Sequence, residues 1–262
     1  MEIGAPGPRL ALSLDVFCTL AARSAIDRAR EIGCAAVGIP AARKDFSPAS
    51  LGAGGARDLA VYLAKNGLSA SWVSAGEKGR FTVSAALDED VARAGAVIEL
   101  AGRLRADAAS AKVGPLGAKD SPSASRLREA LTALAAAADL AGVRLALEAA
   151  PGDEGILDAV TSDFPGAPLG RLLNPASALF SGRDPVDDAS SAPAVAAVLA
   201  SDASAEETAL APGEGRVPWR DFLAALGARE YYGYVTIGFA ARGDATARAA
   251  KALEFLRRIW IS

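Results

Sequence analysis

Histidine is absent from all 262 residues of the chain. Its absence removes the commonest general base and the commonest nitrogen ligand of transition metals, and with them every serine triad, imidazole relay and histidine-bound zinc site. Cysteine is nearly as scarce, with only Cys18 and Cys34. No Cys-x-x-Cys pair occurs, so neither a disulfide framework nor a zinc–thiolate site is expected, and both residues read as reduced, mostly buried thiols. Positive charge is in slight deficit, 28 basic against 31 acidic residues for a net charge of −3. Without a Lys/Arg-rich run there is nothing to neutralise a phosphate backbone, which argues against a nucleic-acid partner. Long hydrophobic runs are also missing, because Asp, Arg or Gly interrupts each one well short of a membrane span. The opening segment, MEIGAPGPRLALSLDVF, has no basic stretch followed by a cleavable apolar core. The expectation is a soluble cytoplasmic protein with no membrane partner.

What the chain does have is 51% apolar residues and a regular alternation. Short β-rich runs occur at 9–17, 34–40, 68–75, 107–114, 143–150, 169–175, 194–202 and 231–239. Between them lie Ala/Leu/Arg/Glu stretches of helical period, several closed by a glycine at the C-cap position, as at Gly33, Gly67 and Gly142. The region after Phe180 offers only a weak turn. Strands alternating strictly with helices over this length predict an α/β protein, a closed parallel (β/α)8 TIM barrel, with residues 1–262 as a single domain. A doubly wound open sheet is the competing architecture.

A barrel of this kind builds its site from the C-terminal ends of its strands. Those ends offer Asp15, Pro40, Trp72 with Ser74, Lys112, Glu148, Asn174, Asp202 and Gly238, with Ser177 and Arg183 just past the sixth strand. Glu148 stands out because it closes the apolar run LALE, where an ionised carboxylate is costly unless paired, coordinating or at an open mouth. The bland reading is an ion pair with Lys112 on the neighbouring strand, and the functional one is catalysis or ligand binding. Lys112 as a Schiff-base lysine is weakened by the same pairing, which would keep its pKa high. The glycine-rich GAGGAR at 52–57 lacks a following Lys-Ser/Thr pair and reads as a helix start or loop rather than a phosphate cradle. The tyrosines 231, 232 and 234 read as strand core and rim. Gly238 raises a question of its own: a buried strand, YYGYVTIGF, delivers no side chain where it surfaces.

Three segments, LALEAAPGDEG, LLNPASALFSGRDPVDD and SDASAEETALAPGEGRVPWRDFLAALGAREYYGYVTIGF, resemble the xylose-isomerase-like barrels, a family that includes sugar phosphate isomerases and epimerases, inosose dehydratases and, more distantly, endonuclease IV. The stretch PGEGRVPW before a helix, followed by GYVTI, is the most specific part. The resemblance implies a divalent metal held by Glu at the end of strand five, Asp at the end of strand six, a late-strand His and Glu at the end of strand eight. Carried over, only Glu148 survives. The strand-six Asp falls on Asn174, the His that often follows it on Ser177, the strand-seven His on Leu199, and the final Glu on Gly238, while Asp202 is kept. Losing these ligands removes both the coordination and the anionic charge that a hard cation requires. Asp202 and Asp15 are the carboxylates left for a displaced ion.

The expectation is therefore a divergent isomerase/epimerase-like barrel, with no metal or other cofactor, acting as a binding or regulatory homologue with a sugar-like pocket. Whether it is an enzyme stays open, the alternative being a sugar phosphate isomerase, epimerase or lyase that works without metal, with Glu148 as general base. Glu148 and Lys112 are the candidate catalytic residues. Asn174, Ser177, Asp202, Arg183 and Trp72 are the candidate substrate-binding residues. A homo-oligomer is left open.

Overall fold

The computed structural model describes residues 9–76 and 81–261. Of the span expected as one domain, residues 1–8, 77–80 and 262 lie outside the described part. The strands are β1 (Arg9–Ser13), β2 (Ala36–Pro40), β3 (Ser69–Ser74), β4 (Ala108–Lys112), β5 (Arg144–Glu148), β6 (Leu169–Leu173), β7 (Val195–Ala200) and β8 (Tyr234–Ile237). All pair in parallel with their chain neighbours, and β8 closes onto β1. This is a closed (β/α)8 barrel, and the open-sheet alternative is excluded.

The helices of the outer layer are α1 (Ala22–Glu31), α2 (Pro48–Lys65), α3 (Leu87–Leu104), α4 (Pro122–Ala141), α5 (Glu154–Thr161), α6 (Pro175–Phe180), α7 (Pro185–Ser191), α8 (Trp219–Ala228) and α9 (Ala245–Ile261). Where only a weak turn was expected after Phe180 the chain forms α7, and α6 ends at Phe180 itself; both short helices have proline in the first turn. The long helices begin as their sequences dictate: Ser47 and Ser121 accept hydrogen bonds from Ser50 N and Ala124 N, with Pro48 and Pro122 following. The GAGGAR segment lies inside α2, where Gly52 makes a kink. Gly142 ends α4 in the left-handed conformation at φ 67°.

Outward-facing strand residues such as Val37, Val73, Leu145, Val198 and Ile237 pack with the helices into the main core. The barrel interior is a separate cluster built around Trp72 with Ala108, Ala146, Leu172, Ala196 and Ala197. One large indole fills a lumen that is otherwise lined by small residues. A Cβ on Gly38 would lie 2.5 Å from Trp72 Nε1, so glycine is what lets the ring enter.

Two bulges set which side chains face inward. Val37 pairs with Ala70 but Gly38 with Trp72, leaving Ser71 as the extra residue. Likewise Arg171 pairs with Val195 but Leu172 with Ala197, leaving Ala196 extra. Each bulge reverses the in–out alternation beyond it, so that Trp72 turns into the lumen and, on β7, Leu199 and Ser201 point in. No described helix is long and apolar enough to cross a membrane.

Candidate functional site

At the C-terminal ends of the strands the barrel opens into a cavity of about 1120 Å³. The strand ends and the residues just after them line it, and from β4 to β7 their side chains bond to one another. Lys112 Nζ lies 3.6 Å from Glu148 Oε2. Asn174 Nδ2 donates to Glu148 Oε1 at 3.3 Å, and Ser201 Oγ donates to Asn174 Oδ1 at 2.9 Å. The same Asn174 oxygen accepts from Ser177 N at 3.2 Å, capping α6. A continuous polar band therefore runs Lys112–Glu148–Asn174–Ser201 around half of the mouth. Glu148 is held with its carboxyl group inward, its side chain 15% exposed, between the Lys112 ammonium and the Asn174 amide.

The other half is hydroxyl-rich and apolar. Ser13, Ser74 and Ser110 line it, together with Trp72 and Phe239. Phe180, 61% exposed, stands at the rim. Tyr231 lies away from the cavity, its hydroxyl donating to Tyr234 O at 2.9 Å, and Tyr234 carries the Arg9 guanidinium over its ring at 3.8 Å. These tyrosines sit at or before the start of β8, the end of the barrel opposite the mouth.

Gly238 now has a physical explanation. A Cβ placed on it would come within 2.6 Å of Leu199 Cδ1. The Leu199 side chain, turned inward by the β7 bulge, occupies the space into which a longer residue at 238 would project. The two positions are complementary: a branched apolar side chain on β7 and none on β8.

Of the residues singled out from sequence, Lys112, Glu148, Asn174, Ser177 and Trp72 line the cavity. Asp202 and Arg183 do not, and these two placements correct the expectation. Asp202 follows Ser201, so the alternation that turns Ser201 into the mouth turns Asp202 out of it. It is fully buried and its carboxylate is saturated. Oδ1 accepts from Ala203 N and Val217 N, and Oδ2 from Gly213 N and Trp219 Nε1, all at 2.9 Å. That carboxylate is the hub on which the segment APGEGRVPW folds. Gly213 takes φ 92°, and a Cβ on Gly215 would meet Asp202 Oδ1 and Ala203 O at 2.4 Å. The motif is thus an anion-satisfying loop, and the buried Trp219 both donates to it and packs edge-on against Phe222. Arg183 instead joins α5 to α7, pairing with Glu154 at 2.6 Å and with Asp188. Cys18 is exposed, just past the single turn that follows β1, while Cys34 is buried and its thiol is pushed up to about 11 by desolvation.

Sequence reasoning did not single out Ser201 as a site residue. Only the bulge at Ala196, which leaves no mark in composition, makes it inward-facing.

The donors at the mouth are poorly matched to a hard divalent ion. They comprise the Glu148 carboxylate already paired with Lys112, the Asp15 carboxylate on the opposite side of the mouth, one amide and hydroxyls, with an apolar methyl from Leu199 above Gly238. Among the described residues no group of three or more His, Cys, Asp or Glu gathers as a metal site.

A family model described as xylose isomerase-like TIM barrel matches residues 26–259 of the chain. Among curated proteins, none matches it significantly. Among solved structures, a xylose isomerase domain protein from Planctomyces limnophilus superposes with a TM-score of 0.81 at 19% identity, over 97% of each chain. A D-psicose 3-epimerase solved in the presence of D-fructose gives 0.77 at 14% identity, over 97% of this chain and 100% of the other. The IOLI protein with a bound zinc atom gives 0.73 at 16% identity, over 96% of each. At such identities the likeness is one of fold.

Proposed function

The chain belongs to the family of xylose isomerase-like TIM barrels, and we propose that it uses the barrel mouth to bind a small sugar-like molecule without a divalent metal, as a binding or regulatory member of the family. The observation that carries this reading is the Leu199–Gly238 pair, which fills with hydrocarbon the place where β7 and β8 could each offer a ligand. The band Lys112–Glu148–Asn174–Ser201 supports it from the other side. It lines the cavity with both hydrogen-bond donors and acceptors, as a polyol requires, and it already pairs the Glu148 carboxylate with Lys112.

The same band disfavours catalysis by Glu148 alone. A general base must be free to take a proton from carbon-bound substrate, and Glu148 shares its charge with Lys112 and Asn174. Isomerisation of a ketose also needs stabilisation of an oxyanion as it forms, for which Asn and Ser donors supply only part.

A thermal-shift titration with neutral ketoses and cyclitols, in the presence of excess EDTA, tests the proposal. The expected result is a saturable rise in melting temperature that Asn174→Ala abolishes, with no product formed from any ligand that binds. Turnover of such a ligand by the metal-stripped protein, lost in Glu148→Gln, would replace this reading with a metal-free isomerase.

A further inference from the structure

We propose that the mouth selects sugar-like ligands that carry an amine, and that Asp15 is the residue that binds the ammonium group. This inference rests on the mouth being a sugar-binding site and adds the charge class of the ligand.

Four described titratable side chains line the cavity: Asp15, Arg93, Lys112 and Glu148. Protein partners match three of them. Lys112 and Glu148 face each other at 3.6 Å, and Arg93 pairs with Asp90 at 3.1 Å and with Glu89. The Asp15 carboxylate makes no hydrogen bond and no ion pair with any described residue. The cation in electrostatic reach of it, Arg43, is committed elsewhere. It forms a fork on Asp45 at 2.8 and 3.1 Å, and donates to the carbonyls of Leu14, Phe17 and Leu20.

The local structure fixes the backbone of Asp15 and leaves its side chain exposed at the cavity. It sits in the single turn Leu14–Phe17 that follows β1, a turn in which Leu14, Val16 and Phe17 are buried and Asp15 alone is left open to the cavity. Its backbone N–H is capped by Ser13 Oγ at 3.4 Å. The protein around it desolvates the carboxyl and pushes it above its ordinary range, an effect that Arg43 offsets only in part. A carboxylate in such a bowl is stabilised by a cation brought by the ligand, and a phosphate there would meet repulsion instead.

The ring geometry gives the ligand its second anchor. In a closed ring of eight strands β1 stands opposite β5, so Asp15 and Glu148 face each other across the mouth. Ser74 and Ser110, on β3 and β4, lie along the arc between them. A molecule bridging this arc would place an amine at Asp15 and hydroxyls toward Glu148, Asn174 and Ser201.

Isothermal titration of the intact protein at neutral pH, low salt and excess EDTA tests this with two matched sets of probes. One is 1-amino-1-deoxy-D-fructose, D-fructose and D-fructose 1-phosphate. The other is D-glucosamine, D-glucose and D-glucose 6-phosphate. The expected result is that in at least one set the amine binds about tenfold or more tightly than the neutral sugar, and the phosphate more weakly. Asp15→Asn should bring the amine down to the neutral sugar's affinity and leave the neutral sugar within about threefold of wild type. If neutral sugars bind wild type but the amines bind no better, or if the amine advantage survives in Asp15→Asn, the inference is wrong while the sugar-binding reading stands. If no probe binds wild type, that reading falls and takes the inference with it.

Discussion

Breaking the Glu148–Lys112 pair tests whether the mouth is held together by its own side chains. At 3.6 Å the gross attraction is about 5 kcal/mol in an effective dielectric of about 20. Desolvation offsets much of this. The Glu148 side chain is 15% exposed and that of Lys112 35%, which places the pair between an exposed pair, worth about 0.2–1 kcal/mol, and a buried one whose disruption costs about 3–5 kcal/mol. The substitutions are Glu148→Gln, which keeps the shape and can still bond Asn174, and Lys112→Met, which keeps the stem. Each alone should cost about 1–3 kcal/mol, and the double variant should cost about 1–2 kcal/mol less than the sum. Urea unfolding of all four proteins at neutral pH and low salt gives the coupling, which should shrink at high salt because Lys112 is partly in water. Additivity within about 0.5 kcal/mol would refute the pair and leave Glu148 stabilised by Asn174 alone.

Asp202→Ala should cost about 3–5 kcal/mol in urea unfolding, because four donors, three of them buried, lose their acceptor at once; a cost below about 1 kcal/mol would contradict its role as the hub of the loop. Glu214 has its carboxyl held below the usual range, first by the Arg248 side-chain hydrogen bonds at 2.6 and 2.8 Å. Its contribution to stability should therefore be fully present above its unfolded value of 4.5 and fade as pH falls through the lower folded value. Melting curves of Glu214→Gln should accordingly lie below wild type at neutral pH and converge with it in strong acid. Wild-type protein should show no melting-temperature rise with manganese, magnesium or zinc, whereas the triple variant Leu199→His, Gly238→Glu, Asn174→Asp should acquire a saturable one; failure of a folded triple variant to respond would mean that Leu199 is not what blocks the position.

The barrel itself was legible because its signal is repeated eight times: apolar β-branched runs separated by helices whose starts and stops are marked by Ser-Pro and Gly. Glu148 was legible for a different reason, since a carboxylate ending an apolar strand contradicts its surroundings and so advertises a partner. Asp202 and Ser201 were not separable. They are adjacent, either could end β7, and the choice between them depends on a bulge at Ala196 that is a property of strand pairing rather than of local sequence. Trp72 faces the lumen for the same reason, through the bulge at Ser71. The link between Gly238 and Leu199 was hidden as well, because it is a contact between neighbouring strands that are far apart in the chain. Arg183 looked like a mouth residue from its place after β6, but α5 and α7 offer it Glu154 and Asp188, and the pairing draws it into the helical layer.

The dependence of ligand binding on metal bears most directly on the claim that this barrel mouth works without one. Titrating D-fructose, D-glucose and their amines into protein stripped with excess EDTA, and again with excess manganese, compares the two states on one preparation. The account predicts binding in EDTA with a dissociation constant unchanged to within about twofold by manganese. Binding that appears only when manganese is added would contradict it.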